Sequence, residues 1–242
     1  KGMPQAAQIL SNAVVQNKRI IIVGDFDADG ATSTSVCILA LRAMGYHNVD
    51  FLVPNRFDFG YGLSVPIVDE AAKQRAEVIV TVDNGISCID GVTHAKSLGM
   101  QVVVTDHHLP GDVLPPADAI VNPNQPGCEF PSKNLAGVGV AFYIMLALKA
   151  ELQQQGHFER AGLAPPNLAS LLDIVAVGTV ADVVVLDKNN RILVHQGLQR
   201  IRAGKCRPGI KALVEVANRD CAHLTSTDLG FVVGPRLNAA GR

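Results

Sequence analysis

The stretch RIIIVGDFDADG, residues 19–30, decides the fold class. Its first five residues form a short β-branched run, which fits a strand buried on both faces. Three aspartates then follow at alternate positions, Asp25, Asp27 and Asp29, set between Gly24 and Gly30. Beyond them residues 31–44 carry a helical pattern. Strand, acidic turn and helix in that order are the opening of a βαβ unit.

Working outward, the same alternation continues. Residues 49–53, 77–82 (EVIVTV) and 101–105 (QVVVT) are further strands, and residues 119–121 a short fifth. Residues 4–17, 65–75 and 87–98 are helical candidates between them. Strands separated by helix-length segments predict right-handed βαβ units and a parallel sheet. After Pro131 the pattern changes: residues 138–155, 168–177, 191–203 and 210–217 are helical, with no further strand among them. The expected class is therefore α/β, a parallel β-sheet with helices on both faces over residues 1–131. A mainly helical extension follows over residues 132–242, with the Gly/Pro-rich stretch 107–131 as the transition. At 242 residues and 48% hydrophobic, the chain can bury a core of that size.

Charge and cysteines narrow the function classes. The formal net charge is −1, so no domain-wide basic surface draws in nucleic acid, although divalent cations would offset clustered carboxylates. Five scattered cysteines without a CxxC pair read as reduced thiols. No apolar stretch reaches membrane-span length and residues 1–10 do not resemble a signal peptide, so the expected compartment is the cytoplasm and no membrane partner is expected. Both ends read as cut, since the chain lacks an initiator Met and stops directly after a Gly-containing motif.

Ligands of open α/β sheets sit outside the carboxyl ends of the strands, and three strand ends here carry metal-binding residue types. Asp25, Asp27 and Asp29 follow the first strand; hard carboxylate oxygens at that spacing suit Mg²⁺ or Mn²⁺. A solvated acidic turn fits the same residues. An EF-hand loop fits the spacing but not the twelfth position, which is Val36. Asp83, in VDNG, ends the third strand and reads either as a metal ligand or as a cap for the next helix. Asp106-His107-His108 follow the fourth strand, where a carboxylate can fix the tautomer of a ligating imidazole. Asp182, in GTVADVVVL, lies in a run too apolar to leave a charge unpaired, and metal or an arginine would each satisfy it. GPRLNAAGR, residues 234–242, offers arginines, an asparagine and a glycine-freed backbone for phosphate, or is an ordinary turn. Arg56 and Tyr61, after the second strand, can meet phosphate and stack a base, or simply form a loop.

In combination the motifs DxDxDG, VDNG, DHH and GTVADV resemble the four signatures of the DHH phosphoesterase superfamily, over nearly the whole chain. PNRF…GYGL, LAGVGVAF and GPRLNAAGR are similar to its RecJ branch. The resemblance implies two divalent metal ions, Mn²⁺ or Mg²⁺, held by Asp25, Asp27, Asp29, Asp83, His107 and Asp182, with Asp83 between the two. It implies that His108 faces the scissile phosphate, that Asp106 orients the histidines, and that Arg56, Tyr61, Asn84, Arg236 and Asn238 bind substrate. It further implies 5′–3′ hydrolysis of single-stranded DNA to mononucleotides, in repair and recombination. A single-strand-binding protein or a helicase would be partners of the full-length protein, and the DHHA1 and OB-type domains would lie beyond Arg242. Relatives acting on short oligoribonucleotides, cyclic dinucleotides or pyrophosphate usually carry a histidine upstream of the first aspartate pair, where Val23 and Gly24 stand here. A non-catalytic scaffold is the alternative from another class.

Overall fold

The computed structural model describes residues 1–54 and 60–240. In chain order the first half runs α1 (Met3–Val15), β1 (Ile20–Gly24), α2 (Ala28–Ala43), β2 (Val49–Leu52), α3 (Val65–Lys73), β3 (Val78–Val82), α4 (Ile89–Ser97), β4 (Gln101–Thr105) and β5 (Ala119–Val121). The five strands form one sheet in the order β2-β1-β3-β4-β5, every pair parallel.

β1 and β3 are buried at every position, which explains their unbroken apolar sequences. Successive side chains face opposite sides, and the core divides accordingly. Ile20, Ile22, Val78 and Val80 face α1, α2 and the later helices. Ile21, Val23, Ile79 and Val102 face a smaller layer made by α3 and α4. Helices thus cover both faces, as the α/β reading requires.

The second half is helical: α5 (Gly137–Gln154), α6 (His157–Ala161), α7 (Leu172–Ala181), α8 (Lys188–Arg202), α9 (Pro208–Val216), α10 (Ser226–Asp228) and α11 (Gly234–Ala240). α5 packs against α1 and α2, and α7 against α2 and α8. Val138, Phe142 and Val177 therefore share one apolar core with the sheet. No described helix is long and apolar enough to cross a membrane.

The helix boundaries expected from sequence shift by a few residues, and the C-terminal segment differs more. GPRLNAAGR, read as a flexible or turning segment, is helical over Gly234–Ala240. Gly234 has helical φ −53. Its role is close approach: a Cβ there would lie 2.9 Å from the Cβ of Ala181. Small size, rather than backbone freedom, explains that glycine.

The strand register positions the site. Gly24 lies beside Val82, and Val82 beside Thr105. The next residue on each strand is an aspartate, so Asp25, Asp83 and Asp106 leave the sheet at one level. The chain passes from β1 to β2 on one side and returns to β3 on the other, so the loops after β1 and β3 diverge at a topological switch point.

Candidate metal centre

Asp27 caps α2, its Oδ1 accepting from Gly30 N at 2.9 Å. That capping turns the helix so that Asp29, in its first turn, points inward, only 1% exposed. Both Asp29 oxygens accept from the start of α5: Oδ2 from Gly137 N at 2.7 Å and Oδ1 from Val138 N at 2.8 Å. Asp83 is equally buried and adopts φ +61, a left-handed conformation that aspartate tolerates better than most residues. The chain leaving β3 therefore turns sharply and leaves the Asp83 carboxylate facing His107. Val183, directly after Asp182, also has positive φ, a rarer and strained state for a β-branched residue. Strained backbone thus flanks the cluster on two sides.

His107 is the geometric centre. Its Nε2 lies 3.1 Å from Asp83 Oδ1, 3.6 Å from Asp182 Oδ2 and 3.8 Å from Asp29 Oδ2. Asp25, Asp27 and Asp83 bring carboxylate oxygens within 4.8 Å of one another. So do the ligating atoms of Asp29, His107 and Asp182, and those of Asp83, His107 and His108. Asp83 belongs to two of these groups.

The electrostatics are unfavourable for a metal-free protein. Burial and the Asp182 charge raise Asp29 to about 8, and burial and Asp27 raise Asp182 to about 7. Burial and Asp29 hold Asp83 well above the usual carboxylate range. Burial raises Asp25 too. Burial and the neighbouring His108 lower His107 to about 4, so its imidazole is neutral and available as a ligand. Asp83 Oδ1, His107 Nε2 and Asp182 Oδ2 are all buried with no hydrogen-bond partner. Buried polar atoms rarely remain unsatisfied, and a divalent cation satisfies carboxylates and a neutral imidazole together. The donors fit such an ion.

Asp106 stands behind the histidines. Its Oδ1 accepts from His107 N, His108 N and His108 Nδ1 at 2.7, 3.1 and 2.7 Å, and its Oδ2 accepts from Ile86 N at 2.9 Å. Burial opposes its ionisation, but these bonds outweigh burial and leave its pKa lowered. The bond to Asp106 raises His108 in return. His108 is 48% exposed and so faces the open side of the centre. Tyr61 sits edge-on to it at 6.5 Å and hydrogen-bonds Asp25. Both belong to the wall of a cavity of about 790 Å³ bounded by Ser64, Ser87 and Asp90.

The structure thus brings together Asp25, Asp27, Asp29, Asp83, Asp106, His107, His108, Asp182 and Tyr61. Asn84, expected to bind substrate, is engaged within the fold through its amide nitrogen. It is fully buried, and its Nδ2 donates to Val23 O and Val82 O at 3.0 and 2.9 Å, tying the ends of β1 and β3. Asn238 is likewise engaged within the protein, its Oδ1 accepting from Ala28 N at 2.8 Å. Arg236 is exposed and donates to Val232 O at 2.8 Å. Arg56 lies outside the described residues.

Several supporting residues escaped the sequence reading. Asn122 Nδ2 donates to His108 O at 2.9 Å, and Asn124 Nδ2 to His107 O at 2.6 Å. Both follow β5, the same sheet edge that carries the aspartates, and that placement was the available signal. The amides of Gly137 and Val138 had none, because backbone donors are invisible in a sequence.

A parallel sheet with a carboxylate–imidazole cluster at its switch point defines an α/β protein equipped to hold divalent cations. The chain belongs to the DHH family: the DHH family, N-terminal domain, matches residues 19–179. It is 66% identical over 241 residues to the single-stranded-DNA-specific exonuclease RecJ of Escherichia coli strain K12, covering all of this chain and 42% of that protein. A crystal structure of exonuclease RecJ bound to manganese matches with a TM-score of 0.83 and 36% identity, over 100% of this chain and 57% of that one. RecJ in complex with Mg²⁺ from Thermus thermophilus matches with a TM-score of 0.66 and 31% identity, over 100% of this chain and 29% of that one. The chain spans less than half the length of the curated relative from Escherichia coli.

Proposed function

We propose that this chain is the metal-bearing half of a single-stranded-DNA 5′–3′ exonuclease that hydrolyses phosphodiester bonds with a pair of divalent cations, Mn²⁺ or Mg²⁺. The observation that carries the reading is the trio of buried atoms on Asp83, His107 and Asp182, whose two carboxylate oxygens crowd 3.1 and 3.6 Å from His107 Nε2 without a hydrogen bond. Asp25, Asp27 and Asp83 would hold one ion, and Asp29, His107 and Asp182 the other; Asp83 Oδ1 also lies 3.1 Å from His107 Nε2, so Asp83 would stand next to both sets. When bound, such a pair polarises the phosphate and lowers the pKa of water.

The chain's own residues supply the rest. His108, whose pKa the Asp106 bond raises, is placed to donate a hydrogen bond or proton to a phosphoryl or leaving oxygen at the open face. Asp106 fixes that ring through Nδ1, which leaves Nε2 for substrate. Tyr61 offers a stacking face beside His108, as sequence-independent binding of a single strand requires. Arg56 and Arg236 remain proposed contacts to the DNA backbone.

The choice of DNA as substrate is supported by the likeness to relatives named as single-stranded-DNA-specific exonucleases. A cytoplasmic location, a role in repair and recombination, and partnership with a single-strand-binding protein or helicase are proposed with it. The test is Mn²⁺-dependent digestion of 5′- and 3′-labelled single strands by the whole protein, alongside short oligoribonucleotides. Mononucleotide release from the 5′ end is expected. Preference for oligoribonucleotides would redirect the reading to another DHH phosphodiesterase, and no turnover would favour a scaffold.

A further inference from the structure

The start of α5 meets the acidic cluster end-on. Its N-cap residue, Ala136, makes no side-chain cap, so the first amides of an 18-residue helix need acceptors from elsewhere. Asp29, from α2, supplies both of them. The positive end of the helix dipole then lies against a carboxylate that burial and Asp182 disfavour.

That approach is possible only because residue 137 has no side chain. A Cβ on Gly137 would stand 2.6 Å from Asp83 Oδ1, 2.8 Å from Asp83 Cβ and 2.9 Å from Asp29 Oδ2. Real Cβ atoms essentially never come that close. Neither carboxylate can yield easily. Asp29 is tied by two amides, and Asp83 sits in a left-handed backbone conformation packed under His107. The backbone of Gly137 itself is helical, so its φ does not require glycine. What requires glycine is the space the two carboxylates occupy.

We infer that Gly137 is a positioning residue of the metal centre: its missing side chain admits the α5 N-terminus, which holds Asp29 in place beside Asp83 for the proposed cations. The inference rests on the proposed two-cation site and assigns the separation of two of its ligands to one glycine. α5 is then a strut of the centre as well as a helix of the core. A methyl group at residue 137 would push apart Asp83 and Asp29 while leaving every ligand chemically intact.

The test is Mn²⁺ binding by Gly137→Ala, measured by titration calorimetry and by electron paramagnetic resonance of the bound ions. Gly139→Ala is the control, because a Cβ there meets the apolar Leu135 side chain instead of a ligand. Wild type and Gly139→Ala should bind two ions and give the spin-coupled signal of a close pair. Gly137→Ala should bind at least 10-fold more weakly and lose the coupled signal, with helical circular dichroism unchanged. Wild-type affinity and coupling in Gly137→Ala would overturn the inference, whereas no Mn²⁺ binding by wild type would instead remove the two-cation reading beneath it. If Gly137→Ala does not fold, replacing Gly137 by glycolic acid removes its N–H without adding a Cβ. Unchanged Mn²⁺ affinity in that ester variant also overturns the inference, and weakened binding supports it.

Discussion

Asp83→Asn is the most informative single change in this molecule. Asparagine keeps the volume of Asp83 and is at ease at φ +61, so the turn after β3 survives. What disappears is one negative charge, at the residue shared by two of the three ligand groups. The substitution acts with opposite sign on two properties. In the metal-free protein Asp83 is held well above the usual carboxylate range by burial and by Asp29. Removing its charge therefore relieves repulsion, and metal-free Asp83→Asn should be as stable as wild type or more so. If Asp83 is shared between the two proposed ions, each would lose an anionic ligand, and hydrolysis should fall about 10³-fold or more, ~4 kcal/mol at 1.36 kcal/mol per decade. The Mn²⁺-induced rise in melting temperature should shrink as well. Single-strand affinity should change less than rate, because the proposed backbone contacts lie on other residues. The assay pairs thermal unfolding with and without Mn²⁺ with digestion of labelled single strands. A folded variant with near-normal hydrolysis would remove Asp83 from the mechanism, and one that unfolds without metal would make Asp83 a structural residue.

Three further expectations follow from the same geometry. Asp29 and Asp182 are raised from 3.8 to about 8 and about 7, so the folded protein keeps protons that the unfolded chain has released. Metal-free stability should therefore fall as pH rises from about 4 to about 8, and Mn²⁺ should abolish the fall; melting curves in EDTA that are flat over this range would contradict it. His108→Ala should fold and bind Mn²⁺ normally but hydrolyse about 10²–10⁴-fold more slowly. The wild-type rate should decline as pH rises through the raised His108 pKa, and that limb should vanish in the variant; an unchanged limb assigns the proton elsewhere. A Cβ at residue 178 would land on Thr32 Oγ1, which is already bonded to Ala28 O and Asp29 O. Gly178→Ala should thus cost about 1–3 kcal/mol in denaturant unfolding and weaken Mn²⁺ binding, and wild-type values for both would refute that packing role.

The legible part of this molecule is the part governed by local pattern. IIIV, VIV and VVV runs announce strands buried on both faces, and the register turns three ordinary motifs into one level of aspartates. Asp25, Asp83 and His107 could be placed at strand ends because strand ends are visible in sequence. Asp182 could be singled out for its apolar surroundings, but its approach to His107 depends on how α7 packs on α2, which no local pattern encodes. The internal bonds of Asn84 and Asn238 were hidden for the same reason. An asparagine beside a metal motif looks like a ligand-binding group, yet each here satisfies backbone atoms across the fold. The helix at Gly234 was obscured because glycine and proline read as turn formers, whereas here a π-helical turn over Leu229–Val233 runs directly into them. Its glycine serves contact with Ala181, a tertiary fact.

A near-neutral chain proposed to act on a polyanion raises an electrostatic difficulty, and the site resolves it. Asp25, Asp27, Asp29, Asp83 and Asp182 crowd one sheet edge, while His107 is neutral there and contributes no offsetting charge. Without cations this edge repels both its own members and any incoming phosphate, as the upward shifts of Asp29, Asp83 and Asp182 express. The protein provides only partial relief of its own, through the amides of α5 at Asp29 and the raised pKa of His108 at the open face. Two dications would cancel most of the repulsion at the place where phosphate is proposed to bind. Affinity for the proposed substrate at this edge would then be tied to metal loading, without calling on a strongly basic surface of this chain. The fold tolerates the metal-free cost because it concentrates the cluster at the strand ends, clear of the two apolar cores that hold the sheet together.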